Sequence, residues 1–99
     1  MNVVKTLNGD RMDIKLDGKL NALSAPVFEQ DISRELDGIR CITIDVGGVE
    51  YISSAGIRTL LFLQQTMDEV SGELVIKNVS PIVGKIFAVT GIDGLITIQ

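Results

Sequence analysis

Histidine and tryptophan are absent from this chain, cysteine occurs once, proline twice, and the aromatics are three Phe and one Tyr. Without histidine there is no imidazole general base, no His-dependent nucleophilic triad and none of the usual zinc ligand sets. A single cysteine, Cys41, excludes an internal disulfide and any CxxC pair. It fits a reducing compartment. Basic clusters are missing too: nine Lys and Arg stand against thirteen Asp and Glu, a net charge of −4. Neither nucleic-acid phosphates nor an anionic membrane surface finds the clustered cations it needs. The clearest apolar stretch near the middle, Leu60 to Leu63, is far too short to cross a bilayer. The first ten residues lack the apolar core of a signal peptide. The expectation is a cytoplasmic protein without direct membrane insertion, metal or cofactor.

What is present is one small domain, residues 1–99, with 45% hydrophobic and 22% charged residues. That balance supplies enough apolar surface to offset the entropy of ordering and excludes disorder. With so few aromatics, Leu, Ile and Val must build the core. Val3 to Leu7 is β-prone, and Asn8-Gly9 reads as a tight turn. Met12, Ile14 and Leu16 alternate with Asp13, Lys15 and Asp17, the period of a strand with one buried face, which Gly18 closes. Ser24-Ala25-Pro26 opens a helix whose stripe is Phe28, Ile32 and Leu36, and Gly38 ends it. Ile39 to Val46 carries apolar residues on both faces, with Cys41 on one and Ile42, Ile44 and Val46 on the other. It reads as a central strand broken by Gly47-Gly48, with Cys41 buried as a small hydrophobe.

Ser53-Ser54 opens a second helix with Ile57, Leu60, Leu61, Gln64 and Met67 inside and Arg58, Phe62, Gln65 and Glu69 outside. Leu74 to Ile76 is a further core strand. Ser80-Pro81 starts a third helix with Ile82, Val83, Ile86 and Phe87 as its apolar face, stopped by Gly91, and Leu95 to Ile98 is a terminal strand. A hairpin followed by helical crossovers gives an α/β fold. Its sheet is mixed but mostly parallel, begins with an antiparallel pair, and packs against three main helices.

Enzyme signatures fail on inspection. Ser54 and Gly56 imitate half of a nucleophile elbow, but position 52 is Ile and no base exists. Gly84-Lys85 lacks the glycine and hydroxyl residue of a P-loop, and Gly47-Gly48 does not open a helix as a dinucleotide fingerprint requires. Asp45 and Glu50 are the only carboxylates expected near Ser54, a thin basis for paired acid–base work.

The distinctive segment runs from Asp45 through Ser53-Ser54-Ala55-Gly56-Ile57-Arg58-Thr59-Leu60-Leu61: a buried strand, a loop, then hydroxyls at a helix start. By itself it could be no more than a serine cap. It also resembles the signature of the STAS domain of bacterial anti-sigma factor antagonists. In that signature a strand ending in Asp leads into Asp-Ser-Ser/Thr-Gly-Leu and a helix continuing Leu-Leu. Leu16 to Pro26 is similar to the family's second strand and first helix start, and Phe87 to Asp93 to its last helix and turn. Ser53 and Asn21 stand where the family often has acidic residues, and Ala55 where it often has Ser or Thr.

The resemblance implies a non-enzymatic partner switch. The unmodified protein binds an anti-sigma factor that is also a serine kinase and so releases the sigma factor. Phosphorylation at Ser54, with Ser53 as rival acceptor, ends binding, and a PP2C-type serine phosphatase restores it. The docking surface expected on this basis comprises Asn21, Ala22, Leu23, Ser53, Ser54, Ala55, Gly56, Arg58 and Phe62. Gly56 is expected to leave the helix start uncovered for a partner. The alternatives are a constitutive STAS subunit of a larger assembly, such as a stressosome or lipid-transport complex, and a small-ligand-binding module.

Overall fold

In the computed structural model, which describes all residues from Met1 to Gln99, the alternating segments become strands of one sheet. The strands are β1 (Asn2–Asn8), β2 (Arg11–Leu20), β3 (Cys41–Ile52), β4 (Glu73–Lys77) and β5 (Thr97–Ile98); the helices are α1 (Ser24–Ser33), α2 (Ser54–Glu69) and α3 (Pro81–Thr90). The sheet order is β1-β2-β3-β4-β5. The first pair is antiparallel and the others parallel, each parallel pair joined through a helix. This is the mixed α/β architecture that the sequence leads one to expect.

Period two decides which side chains meet the helices. Met12, Ile14 and Leu16 of β2 and Ile42, Ile44 and Val46 of β3 are buried in one continuous core with Phe28 and Ile32 of α1, Leu60, Leu63 and Met67 of α2, and Val83 and Phe87 of α3. The intervening residues face the other side of the sheet, which is polar. There Lys15, Asp45 and Lys77 lie in one cross-strand row of alternating charge. Cys41 belongs to this open face and is half-buried, not a core residue, because its parity is opposite to that of Ile42.

Several strand limits differ from expectation: the central strand starts at Cys41, not Ile39, and the terminal one is only Thr97–Ile98. The hairpin turn is Gly9-Asp10, one residue later, because Asn8 still pairs with Arg11. β2 continues past Gly18 to Leu20, and β3 continues through Gly47-Gly48 to Ile52. Register explains the latter two. From Lys15 to Asp17 β2 advances two residues while β3 advances three, from Asp45 to Gly48. From Gly18 to Lys19 β2 advances one while β3 advances two, from Val49 to Tyr51. β3 thus carries two bulges, which bend and twist it without ending it. A Cβ on Gly48 would run into the Asp17 carboxylate and lie 3.2 Å from the Leu16 carbonyl. The glycine lets the two backbones stay close where the register slips.

The helices also differ in detail. α1 ends at Ser33, before Gly38. The Glu35 N–H donates to the Ile32 carbonyl (3.0 Å) and the Ile39 N–H to that of Leu36 (3.0 Å), tight turns that let half-buried Leu36 and buried Ile39 both reach the core. Lys5 of β1 closes this corner with ion pairs of 2.8 Å to Asp31 and to Glu35. On α2 the buried stripe is Ile57, Leu60, Leu63 and Met67, with Leu61 and Gln64 at its border. On α3 only Val83 and Phe87 are fully inside, and Ile82 is exposed. Ser80 caps α3 as expected, accepting from the Val83 N–H at 3.2 Å, and Gly91 stops it in the left-handed conformation.

Candidate functional site

The bulged half of β3 delivers its last residues to the carboxyl end of the sheet, the end at which parallel α/β sheets present their sites. No loop intervenes between β3 and α2; Ser53 alone joins them. Its N–H donates to the Leu20 carbonyl at 2.8 Å, tying the ends of β2 and β3 together. Its extended backbone makes it the N-cap of α2, and its Oγ accepts from the Gly56 N–H at 3.4 Å. Ser54 is the first helical residue. It is exposed, and no hydrogen bond within the chain engages its hydroxyl. The two neighbouring serines therefore differ: Ser53 is committed to the fold and Ser54 is free.

Gly56 corrects an expectation. It is buried, and a Cβ there would lie 2.8 Å from Leu20 Cγ, from Ile52 Cγ2 and from the Leu20 carbonyl oxygen. The glycine seats the first turn of α2 on the ends of β2 and β3 and does not open a face for a partner. Ala55 is half-buried beside it.

The loop from Asn21 to Leu23 adjoins this turn through Leu20. Asn21, not Ser24, organises the start of α1: its Oδ1 accepts from the N–H groups of Leu23 and Ser24, both at 3.0 Å. The Ser24 hydroxyl instead donates to the Lys19 carbonyl at 2.6 Å. This local turn holds Ala22 outward and leaves Leu23 85% exposed. Arg58 is exposed one turn along α2, in a shallow groove shared with Phe62, Asp68 and Glu29 of α1. Phe62 is 37% exposed, so its ring half packs and half shows. The structure thus brings Asn21–Leu23 and Ser53–Gly56 together at one end of the sheet, with Arg58 one turn along α2 and Phe62 further on, near the helix middle, in a separate groove.

A part of this end was not foreseen. Across the start of α2 from the Asn21 loop runs a second groove, between Tyr51, Ser54 and Ile57 on one side and Lys85, Ile86 and Val89 on the other. Val89 is 87% exposed. The available signal was Val89 itself, an apolar residue off the buried stripe of α3.

Asp45 lies elsewhere. It faces the open side of the sheet between Lys15 and Lys77 and shares no groove with Ser54. The Gly47 N–H, donating at 2.9 Å, holds its carboxyl below the ordinary carboxylate range, helped by Asn78, Lys77 and Lys15 and opposed by partial burial. An Asp45–Glu50 acid–base pair at Ser54 therefore has no geometric basis. No group of three or more Cys, Asp or Glu side chains gathers to hold a metal. No helix is long and apolar enough to cross a membrane.

The known proteins this chain is similar to in sequence or fold agree with one another. The family model described as Mlab, STAS domain, matches residues 3–97. A Bordetella bronchiseptica protein, BtrV, provisionally described as an anti-sigma factor antagonist, is 35% identical over 77 residues, covering 77% of this chain and 66% of that protein. The Staphylococcus aureus anti-sigma-B factor antagonist is 25% identical over 100 residues, covering all of this chain and 93% of its own. Among solved structures, the anti-sigma factor antagonist SpoIIAA superposes in its unphosphorylated form with a TM-score of 0.87 at 19% identity, covering 99% of this chain and 88% of that one. Its phosphorylated form gives 0.78 at 18% identity, covering 99% and 91%. A family-model match spanning residues 3–97, on a fold with this strand order, places the chain in the STAS domain family.

Proposed function

We propose that this chain is an anti-sigma factor antagonist that works by partner switching. Unmodified, it binds an anti-sigma factor with serine kinase activity and so frees the sigma factor. Phosphorylation of Ser54 ends the contact, and a PP2C-type serine phosphatase reverses it. The chemistry belongs to the partners, and this chain supplies the substrate hydroxyl and the docking surface of Asn21, Ala22, Leu23, Ser53, Ala55, Arg58 and Phe62.

The observation that carries the reading is the division of labour between the serines. Ser53 is held in the cap, while Ser54 presents an unengaged hydroxyl in solvent. Ser53 as acceptor would have to give up the cap, a cost of about 1 kcal/mol. A phosphate on Ser54 adds a charge of about −1.5 to −2 at neutral pH. The unsatisfied N–H groups and dipole of a helix start accommodate it, worth about 0.3–1 kcal/mol. A partner seated over exposed Leu23 and Ser54 meets that charge in a desolvated interface, where even about 2.8 kcal/mol is a hundredfold in affinity. Binding changes while the fold does not.

The test is intact mass measurement and site mapping on protein taken from its own cells, with Ser54→Asp and Ser54→Ala compared for binding to the co-purifying anti-sigma factor. One phosphate at Ser54 that varies with growth conditions, and loss of binding by Ser54→Asp at an unchanged melting temperature, are expected. Phosphate on Ser53 alone, or equal binding by both variants, overturns the assignment. The absence of phosphate under every condition would put a constitutive assembly subunit in its place.

A further inference from the structure

Ser54 stands on the rim of the groove between α2 and α3, and the chemistry of that groove is uneven. Its lining is Tyr51, Ile52, Ser53, Ser54 and Ile57 on one side, Ile86, Val89 and Thr90 on the other, and a single charged residue, Lys85. Lys85 is exposed, takes part in none of the chain's ion pairs, and makes no side-chain hydrogen bond. In a chain of net charge −4 it is an uncommitted cation placed among apolar residues beside an uncommitted hydroxyl.

We propose that Lys85 is the residue that answers phosphorylation: when Ser54 carries a phosphate, the Lys85 ammonium pairs with it across this groove. The inference rests on the reading of Ser54 as the modified serine and names the group within the fold that responds. The remaining charged or titratable groups around Ser54 fit less well. Arg58, one turn along α2, is also unpaired, but its groove holds the carboxylates of Glu29 on α1 and Asp68 on α2, whereas the Ser54 groove holds none. Glu50 of β3 adds a carboxylate, which repels a phosphate, and Tyr51 offers a hydroxyl hydrogen bond but no positive charge. The Asn21–Leu23 loop carries no charge, and Lys19 of β2 lines neither groove.

The pairing inverts what the groove offers. Before modification it presents one positive charge among apolar side chains, which suits a docking segment carrying a carboxylate. Afterwards a phosphate of about −1.5 to −2 outweighs the one ammonium, and the same surface is net negative. Lys85 is thereby withdrawn from the partner at the moment the partner is repelled.

The experiment installs phosphoserine at position 54 during translation and follows its second ionisation by phosphorus NMR. The comparison is the parent protein against Lys85→Gln, Lys85→Arg and Arg58→Gln. A nearby cation favours the dianion and lowers that pKa. Lys85→Gln should therefore raise it by roughly 0.3–0.7 of a unit at low salt, as expected of an exposed pair. Lys85→Arg should retain the parent value, and added salt should shrink the difference. Lys85→Gln titrating like the parent, or Arg58→Gln moving the value more, overturns the proposal. Because the phosphate is installed, this result stands apart from whether native cells modify Ser54, which site mapping decides.

Discussion

The two halves of β3 do different work. From Cys41 to Asp45 the strand is paired on both sides, residue for residue, and its inward side chains Ile42 and Ile44 lie at the centre of the core. From Val46 to Ile52 it pairs with β2 alone, gains two residues on its neighbour, and contains Gly47 and Gly48. The regular half contributes stability. The bulged half contributes placement: it turns the chain so that Ser53 docks on Leu20 and Ser54 emerges into solvent. Here the irregularity falls only where β3 has lost its second neighbour, and there the strand bends toward the site.

That contrast can be broken at either end. In the regular half, Ile44→Ala removes a fully buried side chain and leaves a cavity, and should lower unfolding stability by about 3–4 kcal/mol in urea titrations. A loss under 1 kcal/mol would mean the core does not rest on this half. Just beyond the bulged half, in the first turn of α2 that it positions, Gly56→Ala places a Cβ 2.8 Å from the Leu20 carbonyl oxygen, a backbone atom with little room to give. It should cost about 2–3 kcal/mol by the same measurement and shift the amide resonances of Ser53 to Ile57.

Ser53→Ala loses the cap and should cost about 0.5–1 kcal/mol, whereas Ser54→Ala should stay within about 0.5 kcal/mol of the parent. Equal effects in thermal melts would erase the distinction between the serines. A pH-dependent effect concerns Asp45, where the two halves meet. Its carboxyl titrates below its ordinary value in the folded protein, so the unfolded chain binds more protons at mildly acid pH. Its stabilisation is present above about pH 4 and lost as pH falls through the folded value. Asp45→Asn should therefore be less stable by under about 1 kcal/mol at neutral pH, with the two stability curves converging in acid.

Much of this was legible in the residues. The alternation of Met12, Ile14 and Leu16 and of Ile42, Ile44 and Val46 marks two strands and the faces they bury. Ser80 with Pro81 and Gly91 bracket α3. The run from Ser53 to Ile57 marks a helix start with two hydroxyls, and its likeness to the STAS signature extends to the ends of the chain. Other features were legible only as composition. Gly47-Gly48 looks the same in a strand break and in a bulge, because a glycine reports only that no Cβ is tolerated, not what would collide with it. Asn21 and Ser24 are both good caps, and which one serves depends on where Lys19 leaves its carbonyl. Of the α3 wall of the second groove the chain shows only Val89, off the apolar stripe, and nothing ties it to Ser54 more than thirty residues away.

The order of strands and helices, the inward faces of the strands and the class of fold follow from the sequence alone, because periodicity and caps act over a few neighbouring residues. Which serine is held and which is free, why Gly56 must be glycine, and that Lys85 shares a groove with Ser54 follow only from the tertiary structure. Each depends on a register slip in β3 or on the docking of one element against another, and such contacts leave no trace in local pattern.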